Sequence, residues 1–187
     1  MRKKHLILLI AIAIILLPSL SITYMYYLME ENTNSVITFG NIKVKLIEQE
    51  LRDGKYIDIS NNDIVDITNT SKLDRIIKAK NIGNNAFYLR LKIEFNGTSD
   101  GNNFFDANDL ITIQANDDWI YQEGYYYYKK PLDKNEETSE LTREILLDRN
   151  RLYSNYKGYK FYLDIKAQAV QSEHNVEDVM EVTNWPS

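Results

Sequence analysis

The feature that most constrains the fold is a strict alternation of apolar and polar side chains ending at Phe95. Apolar residues hold every odd position of the run Phe-Tyr-Leu-Arg-Leu-Lys-Ile-Glu-Phe, which begins at Phe87. A period of two over this length is typical of a strand with one face on a core and the other in water. The residues Ile77 to Lys80 predict a shorter strand, and Asn81-Ile-Gly-Asn-Asn85 supplies turn residues between the two. We therefore predict antiparallel neighbours joined by a five-residue turn, central to a β-sandwich.

Other stretches predict further strands. Tyr159 to Ala169 alternates like the first run, and Ile42 to Leu46 predicts the first strand of the domain. The residues Tyr56 to Ile59 indicate a short edge strand. Phe104 to Ile113 fits either a short helix capped by an Asp or Asn or a strand, so both interpretations stay open. The tail from Asn175 to Asn184 has apolar residues at helical spacing behind an Asn175 cap.

An aromatic hairpin is predicted between Trp119 and Tyr128. It consists of Trp119-Ile-Tyr121 and Tyr125-Tyr-Tyr-Tyr128, with a turn at Gln122-Glu-Gly124. In a strand the four tyrosines form two pairs on opposite faces. One interpretation buries one pair and leaves the other to cross-strand packing. The other makes an exposed pair a binding surface for sugars or for another subunit, and that candidate surface is Trp119, Tyr126 and Tyr128.

The N-terminus has the pattern of an export leader. Met1-Arg-Lys-Lys4 is positively charged, Leu6 to Leu17 is continuously apolar, and small residues follow as far as Ser21. The run from Leu6 to Leu28 carries no charge, so a retained membrane anchor is the alternative. We expect residues 1–28 to be a hydrophobic helix serving as signal peptide or anchor, 29–38 an extended entry segment, and 39–187 the sandwich domain. That domain would be secreted or lie on the extracellular face of the membrane.

Charge and cysteine content exclude several classes of partner and site. The chain has a formal net charge of −5, and the leader holds only positive side chains, so the exported part is more acidic still. Nucleic acids and anionic membrane surfaces both select basic patches, so we expect neither as a partner. The chain contains no cysteine, which excludes disulfides and thiolate metal sites.

Candidate catalytic and metal-binding residues are few. The only histidines are His5, in the leader, and His174. One histidine outside the leader cannot supply the usual two-histidine zinc site, and no H-E-x-x-H pattern is present. We interpret His174 as a surface residue at a helix start rather than a ligand, so a serine or cysteine triad lacks a positioned base. The oxygen-rich run Asp100-Gly-Asn-Asn103, with Asp106 and Asn108, invites a calcium interpretation, but the EF-hand spacing fails and Asp and Asn commonly form turns. We therefore predict no cofactor and no enzymatic activity.

Four runs carry a family resemblance when they are taken in order. They are Phe39-Gly-Asn-Ile-Lys-Val-Lys-Leu46, Lys80-Asn-Ile-Gly-Asn-Asn-Ala-Phe-Tyr-Leu-Arg-Leu-Lys-Ile93, Gly124-Tyr-Tyr-Tyr-Tyr-Lys-Lys-Pro-Leu132 and Ala167-Gln-Ala-Val-Gln171. Together they resemble the TasA/camelysin family, exported proteins of Gram-positive bacteria whose alternate signal peptide is processed by signal peptidase W. The resemblance spans nearly the whole chain. It implies an all-β, jelly-roll-like antiparallel sandwich with short helices, exported to the cell surface or biofilm matrix.

The resemblance also places two candidate sites near the N-terminus. Thr23-Tyr-Met-Tyr-Tyr27 is similar to the family's processing region, with Met25 where a small alanine is usual, so we expect cleavage after Ser21 or incomplete cleavage. In TasA itself, subunits join into fibres by lending an N-terminal strand to a neighbour. The corresponding candidate donor segment here is Ser35, Val36, Ile37, Thr38 and Phe39. The alternative is that Val36 to Phe39 pairs within its own domain.

The expected function is that of a structural subunit of the cell surface or biofilm matrix that assembles into fibres by β-strand addition. Its expected partners are other copies of itself or other matrix proteins, a signal peptidase, and the membrane if the leader is retained. One alternative is a membrane-anchored surface metalloprotease of the camelysin type. Another is a matrix accessory protein or adhesin that does not polymerise.

Overall fold

Two antiparallel β-sheets contribute side chains to one main core in the computed structural model. The structure describes residues 36–39, 42–59, 64–67, 70–173 and 177–186, with the backbone alone for 36–39. All of these belong to the compact unit Asn34–Ser187. The predicted leader, both cleavage candidates (Ser21 and Met25), Ser35 and His174 lie outside the described residues. Within them, no helix is long and apolar enough to cross a bilayer.

The first sheet contains six strands. They are β1 (Val36–Phe39), β2 (Ile42–Arg52), β3 (Lys55–Asp58), β5 (Lys72–Asn81), β8 (Ile111–Ile113) and β11 (Glu144–Leu147). Their order is β1-β2-β5-β11-β8, and β3 pairs with β2. Strands β1 and β8 therefore form opposite edges of this sheet.

The second sheet also has six strands. They are β4 (Ile64–Val65), β6 (Phe87–Thr98), β7 (Phe104–Asp106), β9 (Trp119–Gln122), β10 (Tyr125–Tyr128) and β12 (Lys160–Gln171). Their order is β4-β12-β6-β10-β9, and β7 pairs with β6. Helix α1 (Arg149–Asn155) and short 3₁₀ turns at Asn108–Leu110 and Val179–Glu181 complete the described elements. The predicted all-β antiparallel sandwich with short helices is confirmed, and most connections pass from one sheet to the other, as in a jelly roll.

Strands β6 and β12 form the centre of the second sheet, as their alternation predicts. They pair over their whole length, from Phe87 opposite Gln171 to Thr98 opposite Lys160. Their apolar faces are buried in the main core, where the rings of Phe95 and Phe161 stack with centroids 5.1 Å apart. Burying an aliphatic or aromatic side chain contributes about 1.5–3 kcal/mol, so this paired face is a principal source of stability.

The prediction that β5 and β6 are antiparallel neighbours is wrong. Strand β5 lies between β2 and β11 in the first sheet, whereas β6 lies between β12 and β10 in the second. The connection is fixed by the Asn81 side chain, whose Nδ2 donates to the carbonyls of Asn85 and Leu132, both at 2.9 Å. Its Oδ1 accepts from the backbone N–H of Gly83 at 2.8 Å. Alternation identifies which face of a strand is buried, but it does not identify the strand that pairs with it. Here β5 and β6 bury their apolar faces in the same core from opposite sides.

Several local predictions have clear outcomes. The edge strand near Tyr56 is confirmed as β3, and the aromatic hairpin as β9 and β10. Its turn requires positive φ at Glu123 (51°) and Gly124 (82°), which suits a glycine at the second position. Phe104 to Ile113 contains β7 and β8 on either side of a 3₁₀ turn, Asn108–Leu110. The predicted Asp or Asn cap is wrong, because the cap position is Ala107 and no side chain caps the turn.

The C-terminal tail differs from its prediction. Its described residues, 177–186, contain a 3₁₀ turn, Val179–Glu181, rather than a longer helix. Asp178 caps this turn by accepting from the backbone N–H of Met180 at 2.9 Å. The predicted cap, Asn175, lies outside the described residues.

One glycine in β6 is required by close packing. A Cβ at Gly97 would lie 2.4 Å from the Phe105 ring and 2.9 Å from the Phe161 ring. Those rings belong to an aromatic cluster in which Phe105 also stacks on Tyr156 at 5.3 Å. The strand therefore admits the β7 ring only because position 97 has no side chain.

Candidate functional site

The N-terminal edge of the first sheet is formed by β1, which follows the predicted leader and includes the last residues of the predicted entry segment, 29–38. Strand β1 pairs with β2 of its own chain, from Val36 opposite Lys45 to Phe39 opposite Ile42. Strand β3 pairs with the other end of β2, on the same side of β2 as β1. Just beyond β3, the backbone N–H of Ile59 donates to the Glu48 carbonyl of β2 at 3.0 Å. The outer side of β2 is thus covered by two short strands rather than one long one.

The candidate donor segment, Val36 to Phe39, therefore lies at a sheet edge and pairs within its own domain. No further strand pairs with the outer side of β1 among the described residues. An edge strand presents unpaired N–H and C=O groups, which is the chemistry that strand addition between chains uses. Ser35, the remaining residue of the predicted donor, lies outside the described residues.

A cleft of about 480 Å³ opens on the opposite edge of the sandwich, beside β8. Ile111, Thr112 and Ile113 of β8 line one wall, and Ile93 of β6 and Tyr126 of β10 line the other. Ile111 and Ile113 pack against the main core but remain partly exposed. Apolar side chains at this edge are therefore only partly covered by the described chain.

The cleft exists because the pairing of β6 is interrupted. Strand β10 pairs with β6 at Arg90 and Leu91, and β7 pairs from Asn96 onward. Between them, Phe95 is held by other groups: its N–H donates to Asn108 Oδ1 and its carbonyl accepts from the Ala107 N–H, both at 2.8 Å. Opposite residues 92–94, no described strand occupies this side of β6.

Charge near the cleft is balanced. Glu94 Oε2 accepts from Lys166 Nζ at 2.6 Å, and its Oε1 lies 2.7 Å from Lys92 Nζ. The hydrogen bonds from Lys166 and Lys92 lower the pKa of Glu94. Burial, with a smaller contribution from Tyr121, raises the pKa of Tyr126 to about 12, so its hydroxyl is neutral at physiological pH. The cleft is therefore lined by apolar side chains, the neutral Tyr126 hydroxyl, the polar Asn108 and one charged residue, Lys92, whose charge is paired with Glu94.

The prediction that Trp119, Tyr126 and Tyr128 form an exposed aromatic surface is wrong. Their exposed fractions are 5%, 9% and 8%, and all three belong to the main core. The Trp119 and Tyr128 rings lie 5.0 Å apart. The side-chain parity of β10 turns Tyr126 and Tyr128 towards the first sheet. The exposed aromatic of this hairpin is instead Tyr121, with 62% exposure.

The outward-facing tyrosines of β10 are covered by the C-terminal segment, which the sequence analysis did not anticipate. Val179 and Val182 pack with Tyr88 and Tyr127 in a second small core. The Arg90 guanidinium lies 3.9 Å from the centre of the Tyr125 ring and 4.7 Å from the centre of the Trp185 ring. No periodic pattern in the sequence marks this contact, because Trp185 is an isolated aromatic in an irregular tail.

The oxygen-rich loop considered for calcium uses its oxygens to form turns. Asp100 accepts from the backbone N–H groups of Asn103 and Asn102, at 2.9 and 2.8 Å, and from the Asn103 side chain. These hydrogen bonds hold the pKa of Asp100 well below its usual range. Asp106 accepts from the N–H of Asn108 at 2.8 Å. Within the described part of the chain, no three His, Asp or Glu side chains are grouped so that they could hold a metal ion.

No family model, curated protein or solved structure matches this chain. The fold and the edges define it as an antiparallel β-sandwich whose first sheet begins at an N-terminal edge strand and ends beside an open cleft. Any function must therefore be argued from these two edges and from the sequence.

Proposed function

We propose that this chain is an exported structural subunit of the cell surface or biofilm matrix that assembles by β-strand addition. The observation that carries the proposal is the position of β1, which follows the predicted leader and lies at the edge of a sheet. A strand in this position can pair with a second chain without disturbing the main core. The resemblance to TasA and the acidic, cysteine-free composition support the same function.

The energetics of β1 favour exchange or addition. Its four residues pair with β2 alone among the described strands. Each backbone hydrogen bond contributes about 0.5–1.5 kcal/mol net, so the pairing of β1 with β2 contributes only a few kcal/mol. If another chain offers an equivalent edge, new backbone hydrogen bonds replace those that β1 loses from β2. The net free-energy cost of the exchange then becomes small. The strand is therefore suited to an intermolecular contact.

The predicted leader gives the proposal its timing. While residues 1–28 remain attached, the chain before β1 is bound to the membrane or to the export machinery. Assembly would then begin only after export, when the signal peptidase acts or the segment emerges outside the cell. This order would keep the subunits apart inside the cell.

The test is a proline in β1, combined with deletion of residues 30–35. Proline lacks an N–H and is excluded from paired strand interiors, so Ile37→Pro with this deletion should abolish fibres. The matched control is Ile57→Pro in β3, which pairs with the same strand β2 at the other end. Electron microscopy and sedimentation of concentrated protein at neutral and mildly acidic pH report assembly. Thermal unfolding shows whether each monomer still unfolds cooperatively.

We expect fibres from the wild type and from Ile57→Pro, and cooperative monomers from the β1 variant. The proposal is overturned if the β1 variant assembles like the wild type. It is equally overturned if the wild type stays monomeric at every concentration and pH tested.

A further inference from the structure

We propose that the cleft beside β8 binds a neutral glycan, and that it binds N-acetylated sugars best. This inference goes beyond the proposed function, because it assigns a ligand to an edge of the sandwich that lies away from β1. It starts from Tyr121, which has the same parity on β9 as the core residue Trp119 but is 62% exposed. An aromatic ring on the inner face of the second sheet is thus left uncovered where it lines the cleft.

The exposed ring suits the apolar face of a sugar. The Tyr121 and Tyr126 rings lie 4.7 Å apart with their planes inclined at 42°, so Tyr126 supports Tyr121 from one side. A pyranose with equatorial hydroxyls carries C–H groups on its two faces and its hydroxyls around its edge. Such a ring can pack on Tyr121 and still direct its hydroxyls to polar groups of the cleft.

The charges around the cleft favour a neutral ligand. Among the described residues that line it, Lys92 alone carries a charge, and its Nζ lies 2.7 Å from Glu94 Oε1. Glu94 is also paired with Lys166 at 2.6 Å. An anionic sugar would compete with Glu94 for Lys92, and a cationic sugar would meet a lysine at the wall. Both costs are absent for a neutral glycan.

The outer edge of β8 directs backbone polar groups into the cleft. Leu147 of β11 donates its N–H to the Ser71 carbonyl, on the side of β5. Alternate residues of an antiparallel strand direct both groups to the same side, so those of Leu147 and Ile145 face β5. Their partners in β8, Ile111 and Ile113, therefore direct N–H and C=O away from β11, where no described strand pairs with them.

These groups match an acetamido substituent. The Ile111 N–H donates to the Asn108 carbonyl, so the groups that β8 directs to the ligand are the Ile111 carbonyl and the N–H and C=O of Ile113. Across the cleft, the parity of Phe95 places the N–H and C=O of Ile93 at the interruption in β6. An acetamido group offers one donor, one acceptor and a methyl group, which can contact these backbone groups and the isoleucine side chains together.

The size of the site favours a short glycan over a long peptide. A few polar groups among apolar side chains, in a volume of about 480 Å³, are typical of small-ligand sites, which span about 300–1,000 Å³. Strand addition depends on a ladder of backbone pairs, and the three residues of β8 supply only a short one.

Saturation-transfer NMR tests the binding, with the full-length chain after export as receptor. We expect saturable binding of an N-acetylglucosamine tetramer, with the acetyl methyl protons receiving the strongest saturation. The glucose tetramer should bind more weakly, and the cationic de-N-acetylated tetramer and an anionic galacturonate tetramer should not compete. The inference is overturned if no glycan shows saturable binding up to about 10 mM. Equal or better binding of the glucose tetramer overturns the acetamido assignment, and better binding of a charged tetramer overturns the argument from charge.

Variants of one exposed tyrosine locate the site. Tyr121→Ala removes the stacking ring and should weaken binding by about tenfold, whereas Tyr121→Phe keeps the ring and should bind like the wild type. The matched control is Tyr153→Ala, since Tyr153 is 67% exposed on α1 and is not among the described residues that line the cleft. Thermal unfolding should stay cooperative in all three variants. Wild-type affinity in Tyr121→Ala would place any glycan site elsewhere and refute the inference.

Two further measurements separate this inference from its competitors. A short Val-Thr repeat peptide is titrated in the same way, and if it binds through Tyr121 while no glycan does, the cleft is a peptide site and the inference is wrong. Tyr121→Ala should form fibres like the wild type, because the cleft lies away from β1. A wild type that binds the glycan but never forms fibres would overturn the proposed function and support this inference.

Discussion

A buried ion pair between neighbouring strands of the first sheet gives the sharpest stability prediction. Arg75 Nη1 lies 2.7 Å from Glu48 Oε1, and the two side chains are only 5% and 4% exposed. Replacing Arg75 by methionine removes the guanidinium from the buried Glu48 carboxylate. Breaking a buried pair in this way costs about 3–5 kcal/mol. A domain of this kind has a total stability of about 5–15 kcal/mol, so the change should remove a large share of it.

The design includes a double variant and a surface control. Arg75→Met with Glu48→Leu removes both charges and replaces them with apolar groups, so it should recover most of the loss. Lys72→Met breaks the exposed pairs that Lys72 Nζ makes with Glu144 at 3.0 Å and with Asp74 at 3.1 Å; the three side chains are 47%, 42% and 45% exposed. An exposed pair is worth no more than about 1 kcal/mol, so this control should change little.

Urea unfolding at neutral pH, followed by tryptophan fluorescence, measures the free energy of unfolding for each variant. The reasoning is refuted if Arg75→Met lies within about 1 kcal/mol of the wild type. It is also refuted if the double variant is as unstable as Arg75→Met alone, because the loss would then come from packing rather than from the broken charge pair.

Two further predictions concern the outer face of the second sheet. Arg90→Ala should release the tail and shift Trp185 fluorescence towards that of a solvated indole, at a cost of about 1–3 kcal/mol. The change removes three ring contacts and the hydrogen bonds to Gln168 at 2.6 Å and to the Tyr127 hydroxyl at 3.1 Å. Unchanged emission and unchanged proteolysis of the tail would contradict this, and Arg90→Lys should fall between. Glu94→Gln should destabilise the fold by less than about 1 kcal/mol near neutral pH, since its lysine partners are about half exposed. The pKa of Glu94 is lower in the folded state, so its contribution to stability is present above the unfolded pKa near 4.5 and is lost as pH falls through the folded pKa. A stability difference between Glu94→Gln and the wild type that grew in acid would contradict the assignment.

Sequence patterns alone determined the local elements of this fold. The alternation from Phe87 to Phe95 and from Tyr159 to Ala169 specifies two strands with one apolar face each, and both are present as β6 and β12. The aromatic hairpin was equally predictable, because glycine at position 124 supplies the positive φ that its turn needs. The predicted turn also included Gln122, which instead ends β9 opposite Tyr125. These features depend on residues that are close together in the chain, so the sequence alone is enough to predict them.

Only the tertiary structure decided which strands are neighbours and which edges stay open. The alternation with a period of two indicates that β5 and β6 each bury one face. It does not indicate that the chain crosses the core between them. The same limit explains the error at Tyr126 and Tyr128, since alternation separates the tyrosines into two pairs without saying which pair faces inward. The cleft beside β8 depends on where β7 and β10 stop pairing with β6, and the cover over Tyr127 depends on a tail far away in sequence. Such contacts are set by the closure of the whole sandwich around one core, and a local pattern carries no information about that closure.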